Sequence, residues 1–348
     1  MATRLVLASA LLLAPASMDA QTGTLTEVRD FGSNPGNLRM YQYVPNGLQP
    51  SGPLVVALHG CGQKASDYDD ETGWTKFADK WGFALLLPEQ QRVNNRSSCF
   101  NWFNGRRVLD LFSWSERGSD QDRNEGEALS IKQMVDKMKA VHDVDRNRIY
   151  VTGLSAGGAM AAVMLAAYPE VFAGGAIIAG VPYGCAASLS EALSTCGLAL
   201  TRSGSFPAKD LNPSVWGSRV RDATDHDGPW ARVSIWQGDA DQTVNPVNAR
   251  ELLEQWANVH GIDLTPEVEE KVGGHPHRVY GDASGNVLVE TYTVIGAGHG
   301  TPVSPGSSEE RCGTPGDPPF RVQTTICSSY YIAKFWGLDR AAGQTPRD

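Results

Sequence analysis

The stretch "IYVTGLSAGGAM" (149–160) runs β-branched and aromatic residues into Gly-Leu-Ser-Ala-Gly and then into small helix formers. The first half has the composition of a buried strand and the second that of a helix, so Ser155 falls where one element turns into the other. Two readings meet at this junction. Either Ser155 is a nucleophile raised on a tight turn that only small neighbours allow, or the glycines simply let a strand and a helix pack closely. The pentapeptide "GLSAG" (153–157) alone is weak, because a chain this rich in glycine matches such a pattern readily by chance. Its place between a strand and a helix is what gives it weight.

The same alternation continues on both sides. "GPLVVALHG" (52–60) and "GFALLLPEQ" (82–90) are continuous apolar runs of the kind that form strands buried on both faces, and "DETGWTKFADKWG" between them has helical spacing. "EGEALSIKQMVDKMKAVHDV" (125–144) is an amphipathic helix with Leu129, Ile131, Met134, Val135 and Met138 on one face. After the helix that Pro169 closes, "GGAIIAGVPYG", "ARVSIWQGD" and "VLVETYTVIGAGHG" complete a β-α-β series. The expected fold is α/β, a mostly parallel central sheet with helices on both faces. Two segments interrupt it, 91–124 and 184–230, and both follow strands on the side where open sheets bind ligands. They are expected to wall a substrate cleft.

The chain has 348 residues, 41% hydrophobic and 20% charged, with a formal charge of −9. That balance is globular and argues against a nucleic-acid or anionic-membrane partner. The start, "MATRLVLASALLLAPASMDAQTG", has an early cation, a short apolar run and then small residues. It reads as a secretory signal peptide over residues 1–20, cleaved at Ala20–Gln21 or near Ala14-Pro15-Ala16, too short to span a bilayer. Residues 21–348 are then one catalytic domain, extracellular or periplasmic, and expected to be a monomer. Six cysteines in a secreted chain predict disulfides. The expected pairs are Cys61–Cys99, Cys185–Cys196 and Cys312–Cys327, the last two because each closes a short loop.

A serine hydroxyl needs a base, and the base needs an orienting carboxylate; in this architecture they follow in the order Ser, acid, His. His59 and His142 precede Ser155, and His260 lies on an apparently amphipathic helix. His275 and His277 form "HPH", which without a third ligand nearby reads as an exposed loop rather than a metal site. His299, where a strand runs into a glycine-rich turn, fits the base. "SIWQGDADQTVNP" offers Asp239 and Asp241 beyond a strand, with Asp241 modestly favoured and Asp239 a loop cap. The oxyanion of an acyl-transfer intermediate needs two backbone N–H donors. Ala156 supplies one, and "LHGCGQ" (58–63) the other, assigned to Cys61 with Gly62 as the alternative. A Cys61–Cys99 bridge would pin this loop to "CFNWF" and bring Trp102 beside the cleft.

Taken together, "VVALHGCGQ", "CFNWF", "GEALSIKQMVD", "DRNRIYVTGLSAGGAMA", "GVPYGCA", "WQGDADQTVNP" and "GAGHG" resemble the esterase family of poly(3-hydroxybutyrate) depolymerases and the related feruloyl and acetylxylan esterases. The resemblance spans roughly residues 23–338 in order. It implies an α/β-hydrolase fold, a Ser155–Asp241–His299 triad, Cys61 as an oxyanion donor, Trp102 in a substrate-contacting aromatic segment, and no metal or organic cofactor. It implies a polyester or hydroxyalkanoate-oligomer substrate, with feruloyl or acetylxylan ester hydrolysis as the alternative. The multidomain depolymerases carry a linker and a binding domain after the catalytic unit, whereas this chain ends soon after "FWGLDR", so attack on crystalline polymer is not expected to be efficient. The segments "GVPYGCA" and "ERCGTPGDPPF" differ from the bacterial polymer enzymes and leave substrate choice open.

"SDQDRNEGE" (119–127) places Asp120, Asp122 and Asn124 at alternate positions like a calcium loop, but its glycine is misplaced and no twelfth-position glutamate follows. A solvated loop that caps the next helix is expected instead. Of the nine tryptophans, most fall in helical or strand patterns, and Trp102 and Trp114, both in the 91–124 segment, are the ones where substrate contact is expected. A noncatalytic carbohydrate-binding protein on a hydrolase scaffold is disfavoured by the complete set of reacting groups.

Overall fold

A computed structural model describes residues 23–104, 119–198, 208–314 and 320–340. Trp114 and the proposed signal segment lie outside them. The apolar runs are strands: β1 (Thr26–Val28), β2 (Arg39–Tyr43), β3 (Leu54–Leu58), β4 (Ala84–Glu89), β5 (Ile149–Leu154), β6 (Gly174–Ile178), β7 (Arg232–Gly238), β8 (Val268–Val272), β9 (His275–Gly281) and β10 (Val287–Val294). They form a single ten-stranded sheet in the order β1-β2-β4-β3-β5-β6-β7-β10-β9-β8. From β4 through β10 neighbouring strands are parallel, and the antiparallel pairs lie at the two edges.

Helices cover both faces, as parallel strands require. Leu54, Val56 and Leu58 of β3 point to one side, where they join the buried residues of α2 (Gly126–His142), α3 (Ala156–Ala167) and α6 (Val247–His260). Val55 and Ala57 point to the other, with α1 (Trp74–Trp81) and α7 (Ser328–Phe335). Two shorter helices, α4 (Leu189–Thr195) and α5 (Pro213–Arg221), lie in the second interrupting segment. A parallel two-stranded ribbon, β11 (Thr301–Val303) with β12 (Arg321–Gln323), follows the main sheet. This is an α/β-hydrolase fold.

Every residue of α3 is buried. It can lie this close to the sheet only because its first turn is glycine. A Cβ on Gly157 would come within 2.2 Å of the Leu58 carbonyl oxygen, and one on Gly153 within 2.4 Å of Gly157. The two readings of the opening stretch are therefore compatible in their geometry, because close packing and a tight turn at Ser155 occur together. The glycines serve close packing, and the packing forces the turn that holds Ser155.

The edges differ from the sequence reading. "HPH" is not an exposed loop: His275 and His277 are 8% and 7% exposed on β9, and among the described residues no group of side chains could hold a metal. His277 is buried because Glu270 and Glu290 flank its two ring nitrogens at 3.1 and 2.9 Å. The "SDQDRNEGE" segment is likewise not simply solvated. Ser119, Asp120 and Gln121 are buried, and Asp120 Oδ1 accepts from the Glu127 N–H at 3.1 Å, which caps α2 as expected.

Candidate active site

Ser155 stands between β5 and α3 with φ 57° and ψ −118°, a conformation L-residues rarely adopt. Its N–H donates to the Ile178 carbonyl at 2.9 Å, which ties the turn to the neighbouring strand. Strain of this kind is held only where surrounding contacts over-determine it.

Asp241 lies in the loop after β7 and His299 in the loop after β10, two strands that pair side by side. His299 Nδ1 meets Asp241 Oδ2 at 2.8 Å, and the Asp241 side chain is fully buried. A carboxylate only accepts, so Nδ1 donates and Nε2 is the ring nitrogen left to face away from Asp241. Asp241 Oδ1 accepts from the Thr243 and Val244 N–H groups at 2.8 and 3.0 Å, and Gln237 Nε2 donates to Oδ2 at 3.1 Å. Burial pushes the Asp241 pKa up, but the His299 hydrogen bond and charge and the two backbone donors outweigh it, and the carboxyl sits below its ordinary value. Asp239 takes the other part. Its Oδ1 accepts from the Gly296 N–H at 2.6 Å and caps the turn that leads to His299. The same turn is held from outside by His275, whose Nδ1 accepts from the Ile295 N–H at 3.0 Å.

Cys61 follows β3. Its preceding carbonyl, on Gly60, accepts from His59 Nδ1 at 2.7 Å and from the Gln63 N–H at 3.2 Å, which fixes the plane of the Gly60–Cys61 peptide. His59 is locked in that tautomer because the Gln90 N–H donates to its Nε2 at 3.0 Å. Burial lowers its pKa to about 4, so the ring is neutral. Among the described residues no acceptor takes the N–H of Cys61 or of Ala156. The Gly62 N–H, the alternative donor, is engaged by the Ser97 carbonyl at 2.8 Å.

A cavity of about 290 Å³ opens on Ser155, Ala156 and Cys61. Asn95, Ser97, Cys99, Trp102 and Phe103 wall it from the first interrupting segment, and Leu189, Ala192, Leu193 and Leu198 from the second. Among the described residues no charged side chain lines it. Both segments are thus cleft walls, and each is stapled: Cys61–Cys99 and Cys185–Cys196 are bonded, as is Cys312–Cys327, all three as expected. Trp102 lines the cavity while only 6% exposed, so it belongs to wall and core together.

A buried glutamate that the sequence reading missed holds this wall. Glu127 accepts from the Asn101 N–H and Nδ2 at 2.8 and 2.7 Å, and Gln90 Nε2 donates both to it at 2.5 Å and to the Cys99 carbonyl at 3.0 Å. Burial, with Asp120 nearby, pushes its pKa up to about 8 against the pull of those donors. Also missed was Phe320, whose ring stands edge-on to His299 at 6.4 Å. No local pattern marks either residue, since both are defined by partners distant in sequence.

Residues 38–274 match the family model described as "Esterase PHB depolymerase". The chain belongs to this family. This esterase is 48% identical over 335 residues to poly(3-hydroxyalkanoate) depolymerase C of Paucimonas lemoignei, covering 96% of this chain and 74% of that protein. It is 35% identical to feruloyl esterase B of Neurospora crassa (83% of this chain, 93% of that one) and 33% to an acetylxylan esterase of Coprinopsis cinerea (83% and 72%). Among solved structures, the acetyl xylan esterase from Aspergillus awamori superposes with a TM-score of 0.70 at 24% identity, over 91% of this chain and all of that one, a likeness of fold. The protein is a carboxylic ester hydrolase.

Proposed function

We propose that this esterase is a secreted serine hydrolase that cleaves poly(3-hydroxyalkanoate) polyester or its oligomers. Ser155 Oγ attacks the ester carbonyl while His299 Nε2 takes its proton, and Asp241 stabilises the imidazolium through Nδ1. The Cys61 and Ala156 N–H groups receive the oxyanion. The intermediate then collapses, His299 returns the proton to the leaving alcohol oxygen, and water repeats the sequence on the acyl-enzyme.

The observation that carries this reading is the His299–Asp241 hydrogen bond at 2.8 Å, with Ser155 opening into an uncharged cavity. The polyester substrate is supported by 48% identity to a polyhydroxyalkanoate depolymerase against 33–35% to the feruloyl and acetylxylan relatives. Export through residues 1–20 is supported by three disulfides, which persist in oxidising compartments. Among the described residues no helix is long and apolar enough to cross a membrane.

The test is hydrolysis of hydroxybutyrate oligomers, p-nitrophenyl butyrate and methyl ferulate by wild type and Ser155→Ala. Oligomers should rank first, and the variant should lose turnover on every ester. Methyl ferulate ranking first would install the feruloyl reading. Full activity in Ser155→Ala would remove the serine mechanism.

A further inference from the structure

Phe320 combines three features that its place in the fold does not require. It is a large aromatic side chain left 36% exposed, its φ is +72°, and it lies beside the reacting groups. Positive φ is uncommon for any residue with a side chain and a real outlier for a bulky one, so something must hold it there. The holding contacts are visible. β11 and β12 run parallel with Thr301 opposite Arg321, so the residues just before them, Gly300 and Phe320, face each other. The Thr301 N–H donates to the Phe320 carbonyl at 2.8 Å, and a Cβ on Gly300 would sit 2.8 Å from that same carbonyl group. The ring is thereby turned toward the catalytic loops. It stands edge-on to His299, and its Cε2 lies 3.8 Å from where a Cβ on Gly62 would be, in the oxyanion loop.

Phe320 does not line the cavity that opens on Ser155. If the acyl group of the ester enters that cavity, the alcohol oxygen must lie by His299, which protonates it, and whatever is attached to that oxygen continues past the imidazole. Phe320 is the side chain waiting on that path. We propose that Phe320 forms the leaving-group subsite, an aromatic surface that packs against the apolar part of the alcohol, in a polyester the next hydroxyacyl unit. This rests on the serine-esterase reading given above. An edge-on ring beside His299 and the oxyanion loop would grip the alcohol while the reacting groups on either side stay in place.

The test separates alcohol from acyl recognition. Methyl, butyl and benzyl butyrate share an acyl group, and methyl acetate, butyrate and hexanoate share an alcohol. In Phe320→Ala the kcat/KM ratio of benzyl to methyl butyrate should fall about tenfold, the discrimination a modest apolar contact provides, while the acyl-series ratios stay as in wild type. Phe320→Gly should show the same fall with the left-handed backbone relieved, which separates loss of the ring from poor folding. An equal loss across all alcohols in both variants would overturn the proposal and leave Phe320 a support for His299. Turnover that survives Ser155→Ala would instead bring down the reading beneath it.

Discussion

At the residue scale the site turns on which N–H each carboxylate meets. Asp239 and Asp241 are two residues apart in the same loop, and position along the chain separates them only weakly. What distinguishes them is how the loop after β10 lies, with Gly296 presented to one and His299 to the other. Asp241→Asn keeps an acceptor for Thr243 and Val244 but turns an amide donor toward His299, which must then protonate Nε2 and lose its basic lone pair. The expected result is a fall in kcat of about 10⁴ with KM little changed, read from steady-state kinetics on p-nitrophenyl butyrate. A variant within a few-fold of wild type would show that His299 needs no orienting carboxylate.

At the scale of elements, the strands that carry the site were legible and the edges were not. β3, β4, β5 and β6 are buried along their whole length and largely apolar, and such runs cannot be mistaken for surface, while β7 and β10 mix apolar and polar residues and are placed by the alternation around them. β9 reads "HPHRVYG", and its two histidines are buried because partners arrive from elsewhere, Glu270 of β8 and Glu290 of β10 for His277, and the Ile295 N–H and Thr325 Oγ1 for His275. Periodicity records no such meeting. The loop after β3 was legible through its glycines, whereas the peptide that fixes it, through His59 and Gln90, depends on a residue from the end of the next strand. The Cys61–Cys99 staple closes 38 residues and joins this loop to the cavity wall. Replacing both cysteines by alanine should cost roughly 2–4 kcal/mol of stability in urea titration. It should also lower kcat more than it raises KM, because a looser Cys61 N–H serves the transition state worse than it serves substrate. Lost stability with unchanged kcat would confine the bond to a structural role.

For the whole molecule, the buried histidines and carboxyls both shape the response to acid. Burial lowers the pKa of His59, His142, His260 and His275, His59 to about 4 from an ordinary 6.5. The folded chain keeps these rings neutral while the unfolded chain binds protons below 6.5, so their contribution is complete above that pH and is lost on the way down to about 4 for His59. For fully buried His59 that loss is on the order of 3 kcal/mol. His277 acts oppositely. Its burial is outweighed by Glu290 and Glu270, which raise its pKa, so its contribution is complete below 6.5 and fades as pH rises through the higher folded value. Glu127, raised to about 8, opposes the lowered histidines over the same range, because the folded chain holds a proton there that the unfolded carboxyl releases above its ordinary value. The histidine share is therefore read by difference: melting temperature in His59→Gln should fall less, or rise more, than in wild type between pH 7 and 4.5 in thermal scans, and an unchanged slope would contradict the assignment. The depth of α3 has a consequence of its own. All twelve of its residues are buried, and Ser155, the proposed nucleophile, is the residue on which it begins. Its amides have no route to solvent through local opening, so they should exchange hydrogen only when the entire chain unfolds. The turn that holds Ser155 is then as long-lived as the native state itself, and an esterase assay during heating reports global unfolding rather than the wandering of a loop.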